Sequence, residues 1–316
     1  MIRSGLQESV HLLDIAVVDV DGNLVAFAGD PSRGLFARSS MKPLQAAVSL
    51  SMAGLDLSPR EIAIVAASHN AEPVHLEAVR SILRKAGVDE AALQCPPRRS
   101  WDDALTMDAE ERRPIHSDCS GKHAGMLAAC RAQAWDLESY RDPDHPLQQL
   151  VLRTVLKVTG LERVDIGVDG CGVPVHGMPL WAMATIFARL SAPASWGGLA
   201  DTVERVVRAM TSEPYMVAGR NRVDTAVMQA TTGVVTKEGA EALICAGILD
   251  RGLGIAMRVR DGGWRAVGPG VIRVVEILGA LTDPLPPELR ELAAPPVLGG
   301  GEPVGEIQAS FDLSWS

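Results

Sequence analysis

Apolar positions form short runs near both ends of the chain and longer patterns at helical spacing between them. Residues 11–20 and 24–28 are apolar runs separated by Asp21-Gly22-Asn23, whose residues tolerate a positive φ, so a β-hairpin is predicted there. A strand is also predicted at residues 164–168. The last strands are predicted at residues 234–235, 243–249 and 254–259.

The middle of the chain carries apolar residues at helical spacing between recognisable helix ends. Residues 58–61, Ser-Pro-Arg-Glu, combine a capping box with a proline at the first helical position. An earlier helix is predicted to have a serine cap, Ser39 or Ser40, and to end before Gly54. Further helices are predicted at residues 74–86, 124–134, 146–158, 179–190, 199–210 and 224–230.

Strands at both ends of the chain with helices between them predict an α/β fold. We expect a mainly antiparallel sheet with flanking helices, assembled from the N- and C-terminal parts, and a helical lobe from the middle. Residues 98–113 are interpreted as a surface crossing, and residues 284–301 as a tail rich in proline and glycine. Since no linker or repeat divides the chain, a single domain over residues 1–316 is expected.

Composition and charge restrict the classes of function. The 316 residues are 47% hydrophobic, which is enough for a large core. Acidic residues outnumber basic ones by 39 to 30, and the net charge of -9 disfavours nucleic acid as a partner. Glycine pairs at residues 252–254 and 268–270 lack the third glycine of a dinucleotide site, so a Rossmann cofactor is not expected.

Membrane insertion and secretion are also disfavoured. The longest apolar run, residues 180–188, is far shorter than the roughly 18 residues that a membrane helix requires. The first residues contain neither the apolar segment nor the cleavage site of a signal peptide. The five cysteines are odd in number and widely spaced, unlike a secreted disulfide framework. We therefore expect a cytoplasmic protein.

Ser39 and Lys42 are three residues apart at a predicted helix start, where both side chains project from one face. A desolvated lysine at this spacing can deprotonate the serine, as in a Ser/Lys nucleophile. The alternative is a serine cap followed by a surface lysine. Pro43 is expected to restrain Lys42 by keeping it out of the α region.

Ser68-His69-Asn70 follows an apolar helix, a position that is typical of a cleft but also of a simple C-terminal turn. Lys237 follows the predicted strand 234–235. The order Ser-x-x-Lys, Ser-Asp at residues 117–118 and Lys-x-Gly is similar to that of penicillin-recognising serine acyltransferases, although Cys119 replaces the expected Asn.

Cys119 and Lys122 open a predicted helix, and Cys171 follows later in a tight turn. Two thiolates and a side-chain nitrogen could hold a zinc ion with one position open for water. Buried packing is the alternative for both cysteines, and lysine is an uncommon zinc ligand.

These motifs together resemble the asparaginase II family of the Rhizobium etli inducible type, in family order and over nearly the whole chain. The resemblance implies hydrolysis of L-asparagine to L-aspartate and ammonia, a fold similar to serine β-lactamases and glutaminases, and a homodimer. The matching segments are Arg38-Ser39-Ser40-Met41-Lys42, Ser68-His69-Asn70-Ala71-Glu72-Pro73, Cys119-Ser120-Gly121-Lys122-His123-Ala124-Gly125-Met126, Val168-Asp169-Gly170-Cys171-Gly172-Val173-Pro174 and Gly233-Val234-Val235-Thr236-Lys237-Glu238-Gly239.

The resemblance implies two catalytic Ser/Lys tandems. The first is Ser39, the expected nucleophile, with Lys42. The second is Ser68 with Lys237 as its distant base.

The resemblance also implies a zinc site and a substrate site. The zinc ligands are Cys119, Lys122 and Cys171, with water in the fourth position. The substrate contacts are Arg38, His123 and Asp169. A guanidinium suits the α-carboxylate of the substrate, and a carboxylate suits its α-ammonium.

Other functions stay open at the level of sequence. A glutaminase acts on a substrate only one methylene longer, a difference worth only about 1 to 3 kcal/mol in discrimination. A β-lactamase-like serine hydrolase shares the logic of Ser39 and Lys42, but acts outside the cytoplasm. In a non-catalytic zinc-binding protein, both lysines would be structural.

Overall fold

The computed structural model describes residues 1–105, 108–281 and 284–316. The strands are β1 Ile2–Arg3, β2 Leu6–Gln7, β3 Leu13–Val18, β4 Leu24–Ala28, β5 Gly34–Phe36, β6 Asp165–Val168, β7 Pro174–Pro179, β8 Val234–Gly239, β9 Leu243–Ile248, β10 Leu253–Val259, β11 Pro296–Gly299, β12 Glu302–Glu306 and β13 Ser314–Trp315. The helices are α1 Lys42–Ala53, α2 Pro59–Val65, α3 Pro73–Ala86, α4 Ser120–Ala132, α5 Pro146–Thr159, α6 Leu180–Leu190, α7 Ala200–Ser212, α8 Pro214–Val217, α9 Val223–Ala230, α10 Val267–Ile277 and α11 Pro287–Ala293.

The largest sheet in the described part of the chain has the strand order β13-β4-β3-β10-β9-β8, and all its neighbours are antiparallel. The predicted hairpin supplies β3 and β4, and the late segments supply β8, β9 and β10. The predicted fold class, an α/β arrangement with a mainly antiparallel sheet and flanking helices, is confirmed. Two smaller antiparallel sheets have the orders β11-β12-β1-β2 and β5-β7-β6.

Both faces of the large sheet are covered, because successive side chains of a strand point to opposite sides. On β3, Ala16 and Val18 belong to the core shared with the helical lobe. Ile15 and Val17 belong to a second core with α10, which includes Val271. Helix α6 packs on the lobe side of β3, β9 and β10. The middle of the chain therefore forms the expected helical lobe, in which α1 contacts α2, α4, α5 and α7.

The start of α1 differs from the prediction. A 3-10 turn, Arg38–Met41, precedes the helix, and no serine side chain caps either element. Lys42 adopts φ -58° and ψ -36°, so the expectation that Pro43 keeps it out of the α region is wrong. The turn explains this, because the Lys42 N–H donates to the Ser39 carbonyl, and a proline in the first helical turn has no N–H to satisfy.

Two segments without a predicted helix or strand contribute to the structure. Arg98 and Trp101, in the segment interpreted as a surface crossing, line an internal cavity, and Asp102 is buried; Met107 lies outside the described residues. The tail contains α11 and the pair β11–β12. In the part of the chain that the structure describes, no helix is long and apolar enough to cross a membrane.

Candidate active site

Six of the ten predicted site residues line a narrow cavity of about 40 Å³ between the large sheet and the helical lobe. The turn before α1, the end of α2, the start of α4, the turn after β6 and the end of β8 all reach it. Its lining residues are Arg38, Ser39, Ser68, Arg98, Trp101, Asp118, Cys119, Asp169, Cys171, Arg222, Glu238, Gly239, Ala240 and Trp264.

The Lys42 amine bonds to Ser68, one of the two predicted serines. The Lys42 side chain is fully buried, and Nζ donates to Ser68 Oγ at 2.8 Å and to the Ala67 carbonyl at 2.6 Å. Asp118 Oδ2 lies 3.9 Å from the same nitrogen. Ser39 and Ser68 line the same cavity. Lys42, which lies three residues after Ser39 in the sequence, forms its hydrogen bond with Ser68.

Lys237 is fully buried on β8, where Nζ donates to Asp224 Oδ2 at 3.1 Å and to the Glu238 carbonyl at 3.0 Å. Burial lowers the pKa of Lys237 to about 8, against the opposing charge of Asp224. The hydroxyl of Ser40 donates to the Lys237 carbonyl and ties the turn before α1 to this strand. The hydrogen bond of Ser68 is thus with Lys42, and the role of Lys237 as its distant base stays a prediction.

Arg38 and Asp169, the predicted contacts of the two charged substrate groups, pair with each other. Arg38 Nε donates to Asp169 Oδ1 at 2.7 Å. Asp169 follows β6, so the tight turn before Cys171 places this carboxylate at the cavity wall. A guanidinium beside a carboxylate is suited to a ligand that carries one charge of each sign.

The predicted metal ligands lie together at the cavity, and Cys119 and Cys171 line its wall. Lys122 Nζ donates to Cys171 Sγ at 3.0 Å. The hydrogen bond from Cys119 lowers the pKa of Cys171 well below the ordinary value, with a further contribution from the Lys122 charge. The same hydrogen bond, together with burial, raises the pKa of Cys119. Burial alone would lower the pKa of Lys122, but the neighbouring sulfurs and Asp169 raise it.

His123 faces this cluster from the next position of α4. Its Nδ1 hydrogen-bonds to the Tyr140 hydroxyl at 2.6 Å, and its buried Nε2 has no hydrogen-bond partner. Burial lowers the pKa of His123, which favours the neutral ring. A neutral imidazole nitrogen is available either to a metal or to a substrate.

The donor set fits zinc in its chemistry, since zinc prefers thiolate sulfur and nitrogen. Among the described residues, no three His, Cys, Asp or Glu side chains are placed to hold a metal together. A zinc ion at Cys119 and Cys171 therefore needs the Lys122 nitrogen, which must first lose its proton.

Several cavity residues were not predicted from the sequence. The Arg222 guanidinium lies 5.3 Å from the Trp101 ring centre and contacts the Glu238 carboxylate. The ring centres of Trp101 and Trp264 lie 6.0 Å apart. Glu238 directly follows the predicted residue Lys237, so its place near the site could have been predicted from the sequence. Trp101 and Trp264 come from segments without periodicity and carry no such signal.

A family model for L-asparaginase II matches residues 1–309. The chain belongs to the L-asparaginase II family. Among curated proteins, none matches the chain significantly.

Solved structures similar to this L-asparaginase II family member include Mglu, with 14% identity, a TM-score of 0.40 and coverage of 84% of the chain. The chain spans 63% of the length of Mglu. A β-lactamase from Mycobacterium bovis has 13% identity and a TM-score of 0.43, with 83% of this chain and 94% of that one covered. A mutant simvastatin synthase from Aspergillus terreus has 11% identity and a TM-score of 0.41, with 78% and 86% covered.

Proposed function

We propose that this protein hydrolyses L-asparagine to L-aspartate and ammonia, as an asparaginase of the Rhizobium etli inducible type. The observation that carries the proposal is the convergence of Ser39, Ser68 and the buried Lys42 on one small cavity, beside the pair Arg38 and Asp169. Family membership supports amide hydrolysis at this cavity. We further propose that the chain acts as a single domain and forms a cytoplasmic homodimer.

The chemistry follows from the hydroxyls and amines. Ser39 Oγ attacks the side-chain amide carbon, and its proton passes to the Lys42 amine and on to the amide nitrogen, which leaves as ammonia. Water then attacks the aspartyl ester, releases aspartate and restores the Ser39 hydroxyl. The hydrogen bond between Lys42 and Ser68 offers a path for the proton. Lys237 would serve as the base of Ser68.

Substrate recognition would use the charged pair at the cavity wall. Arg38 would bind the α-carboxylate through two parallel hydrogen bonds, and Asp169 would bind the α-ammonium. Their mutual contact would be exchanged for one contact with each end of the substrate. His123 would contribute its unpartnered Nε2 as a further contact.

Zinc is the proposed cofactor, held by Cys119, Lys122 and Cys171. When bound beside the serines, it would supply positive charge that helps to position the substrate. Cys171 carries the lowered pKa that a sulfur ligand requires. The side chains that bind the ion would lie directly below Asp169, so metal and substrate sites would be neighbours.

Ammonia release tests the function directly. The purified protein is assayed with L-asparagine, with L-glutamine and with a chromogenic β-lactam, before and after chelation and zinc readdition. We expect turnover of L-asparagine, little activity on the other two, and loss on chelation that zinc reverses. Metal analysis should give zinc in the untreated protein and much less in Cys119→Ser.

Ser39→Ala is the matched variant for the nucleophile. We expect kcat to fall by about a thousandfold or more while the fold is unchanged, because the covalent step is removed. Unchanged turnover would remove Ser39 from the mechanism. Preferential glutamine turnover would indicate a glutaminase, β-lactam turnover would indicate the serine hydrolase alternative, and bound zinc without turnover would indicate a binding protein.

A further inference from the structure

Asp224 is a fully buried carboxylate that was not predicted as part of the site. It lies in the first turn of α9, and its Oδ2 is 3.1 Å from Lys237 Nζ. The Glu238 N–H lies 3.0 Å from Oδ1 and 2.9 Å from Oδ2. The Asp224 carboxylate is therefore anchored to β8, the strand that carries Lys237.

The lysine has two acceptors and little freedom. Asp224 holds Nζ from α9, and the Glu238 carbonyl holds it from its own strand. A lysine side chain has four rotatable bonds and otherwise loses its place readily. Neither partner of the ion pair is exposed to solvent, so the loss of one leaves the other without compensation.

The charges that face Lys237 come from several elements. Lys42 of α1 and Arg222, which precedes α9, disfavour its protonation, whereas Asp224 favours it. Cys245, its cross-strand neighbour on β9, has a pKa raised to about 12 by burial and is neutral. Asp224 is thus the carboxylate that retains the proton on this amine.

We infer that Asp224 is a positioning residue for Lys237: it fixes the amine at the end of β8 and sets the pH at which that amine gives up its proton. The inference rests on the proposed function, in which neutral Lys237 is the base of Ser68. Asp224 does not touch the substrate in this role. It acts through the place and the charge of the lysine.

This role predicts two effects of opposite sign in Asp224→Asn. Loss of the negative charge makes Lys237 easier to deprotonate, so the acidic limb of the kcat/KM profile shifts to lower pH by about one unit or more. Loss of the anchor displaces the amine, so kcat at the optimum falls by about tenfold or more. A purely structural role lowers activity without moving the limb.

Asp224→Glu is the conservative variant, since it keeps the charge but changes the position of the carboxylate by one methylene. We expect the limb to stay near its wild-type position while kcat falls. Asp14→Asn is the matched control, because Asp14 is also a fully buried carboxylate but pairs with Arg33 and Arg260 and not with Lys237. It should leave the limb in place. The inference would be overturned if the acidic limb of the kcat/KM profile stayed at its wild-type pH in Asp224→Asn, or if it shifted equally in Asp14→Asn.

Lysine titration separates this inference from the proposed function. The chain has five lysines, Lys42, Lys85, Lys122, Lys157 and Lys237. Lysine-selective carbon-13 labelling therefore gives few resonances. The resonance that is missing in Lys237→Met is that of Lys237. We expect the Lys237 resonance to titrate at lower pH in Asp224→Asn than in wild type. An unchanged titration contradicts the inference. A shifted titration in a protein that does not hydrolyse asparagine supports the control of the Lys237 proton by Asp224 and contradicts the proposed function.

Discussion

Arg38 adopts a φ of 47°, in the left-handed region that non-glycine residues avoid at a cost of roughly 1–2 kcal/mol. Such conformations persist where the surroundings determine them, and they concentrate at functional sites. Here the turn directs Arg38 and Ser39 to the cavity, whereas Ser40 bonds to the carbonyl of Lys237. The local backbone thus directs two of three consecutive side chains to the cavity and the third to strand β8.

Arg38→Lys tests recognition at the level of one residue. The charge is kept, but the planar fork that can form two parallel hydrogen bonds with a carboxylate is lost. We expect KM for L-asparagine to rise by about tenfold or more while kcat changes much less. Steady-state kinetics measure both constants. The exposed Arg131→Lys on α4 is the control, and an unchanged KM in Arg38→Lys would argue against carboxylate binding at Arg38.

Helix α4 carries the proposed metal ligand Lys122 and packs closely on α2. A Cβ at Gly121 would lie 2.1 Å from the Ile64 carbonyl oxygen, and one at Gly125 would lie 2.5 Å from Val65 Cγ1. The contact at Gly121 is with backbone, which cannot rotate away. The close packing of two helices therefore determines where Cys119 and Lys122 lie relative to Ser68, at the end of the other helix.

Gly121→Ala should consequently disturb the packing of the whole helix α4 against α2 and not only the site of the substitution. We expect the free energy of unfolding to fall by about 1–3 kcal/mol because the backbone must move apart. Zinc content should fall as well, since Lys122 is the next residue. Urea unfolding measures the first effect and metal analysis the second. Gly198→Ala, where a Cβ meets nothing within 4 Å, is the control; equal stability of the two variants would refute the packing argument.

At the scale of the whole molecule, the large sheet joins parts that are distant in sequence. Asp14 on β3 is fully buried and accepts hydrogen bonds from Arg33 and from Arg260, which is 246 positions away. Burial alone would raise the pKa of Asp14, but the bonds from Arg260, the Asp30 N–H and Arg33 outweigh it and lower the pKa below 3.8. The ionised carboxylate therefore stabilises the junction between the N-terminal and C-terminal parts of the sheet, at the neighbouring strands β3 and β10.

Asp14→Asn should destabilise the whole fold by about 3 kcal/mol, near the low end for a broken buried pair because both guanidinium groups remain partly in solvent. Since the folded pKa is lowered, this contribution is present above about pH 4 and is lost as the pH falls through the lowered value. Urea unfolding near pH 7 and near pH 3 should show a larger difference from wild type at the higher pH. A difference that is equal at both would contradict the assignment.

The elements were largely predictable because they depend on short-range pattern. The capping box at the start of α2 and the hairpin β3–β4 follow from adjacent residues, and both agree with the structure. Helix α10 was not predicted, and it contains Gly268-Pro269-Gly270, residue types that disfavour a helix interior. A proline in the first turn lacks an N–H that would be unpaired there in any case, and burial against β10 stabilises the rest.

The sequence by itself determined the composition of the site: serines, lysines, cysteines and an arginine in motifs whose order identifies the family. Only the tertiary structure decided the partners. Lys42 bonds to Ser68, which is 26 positions away, and Lys237 pairs with Asp224 rather than with a serine. Spacing along one helix or strand determines which side chains share a face. Distances between elements depend instead on how closely the backbones pack, as at Gly121, and on which buried charges require a partner.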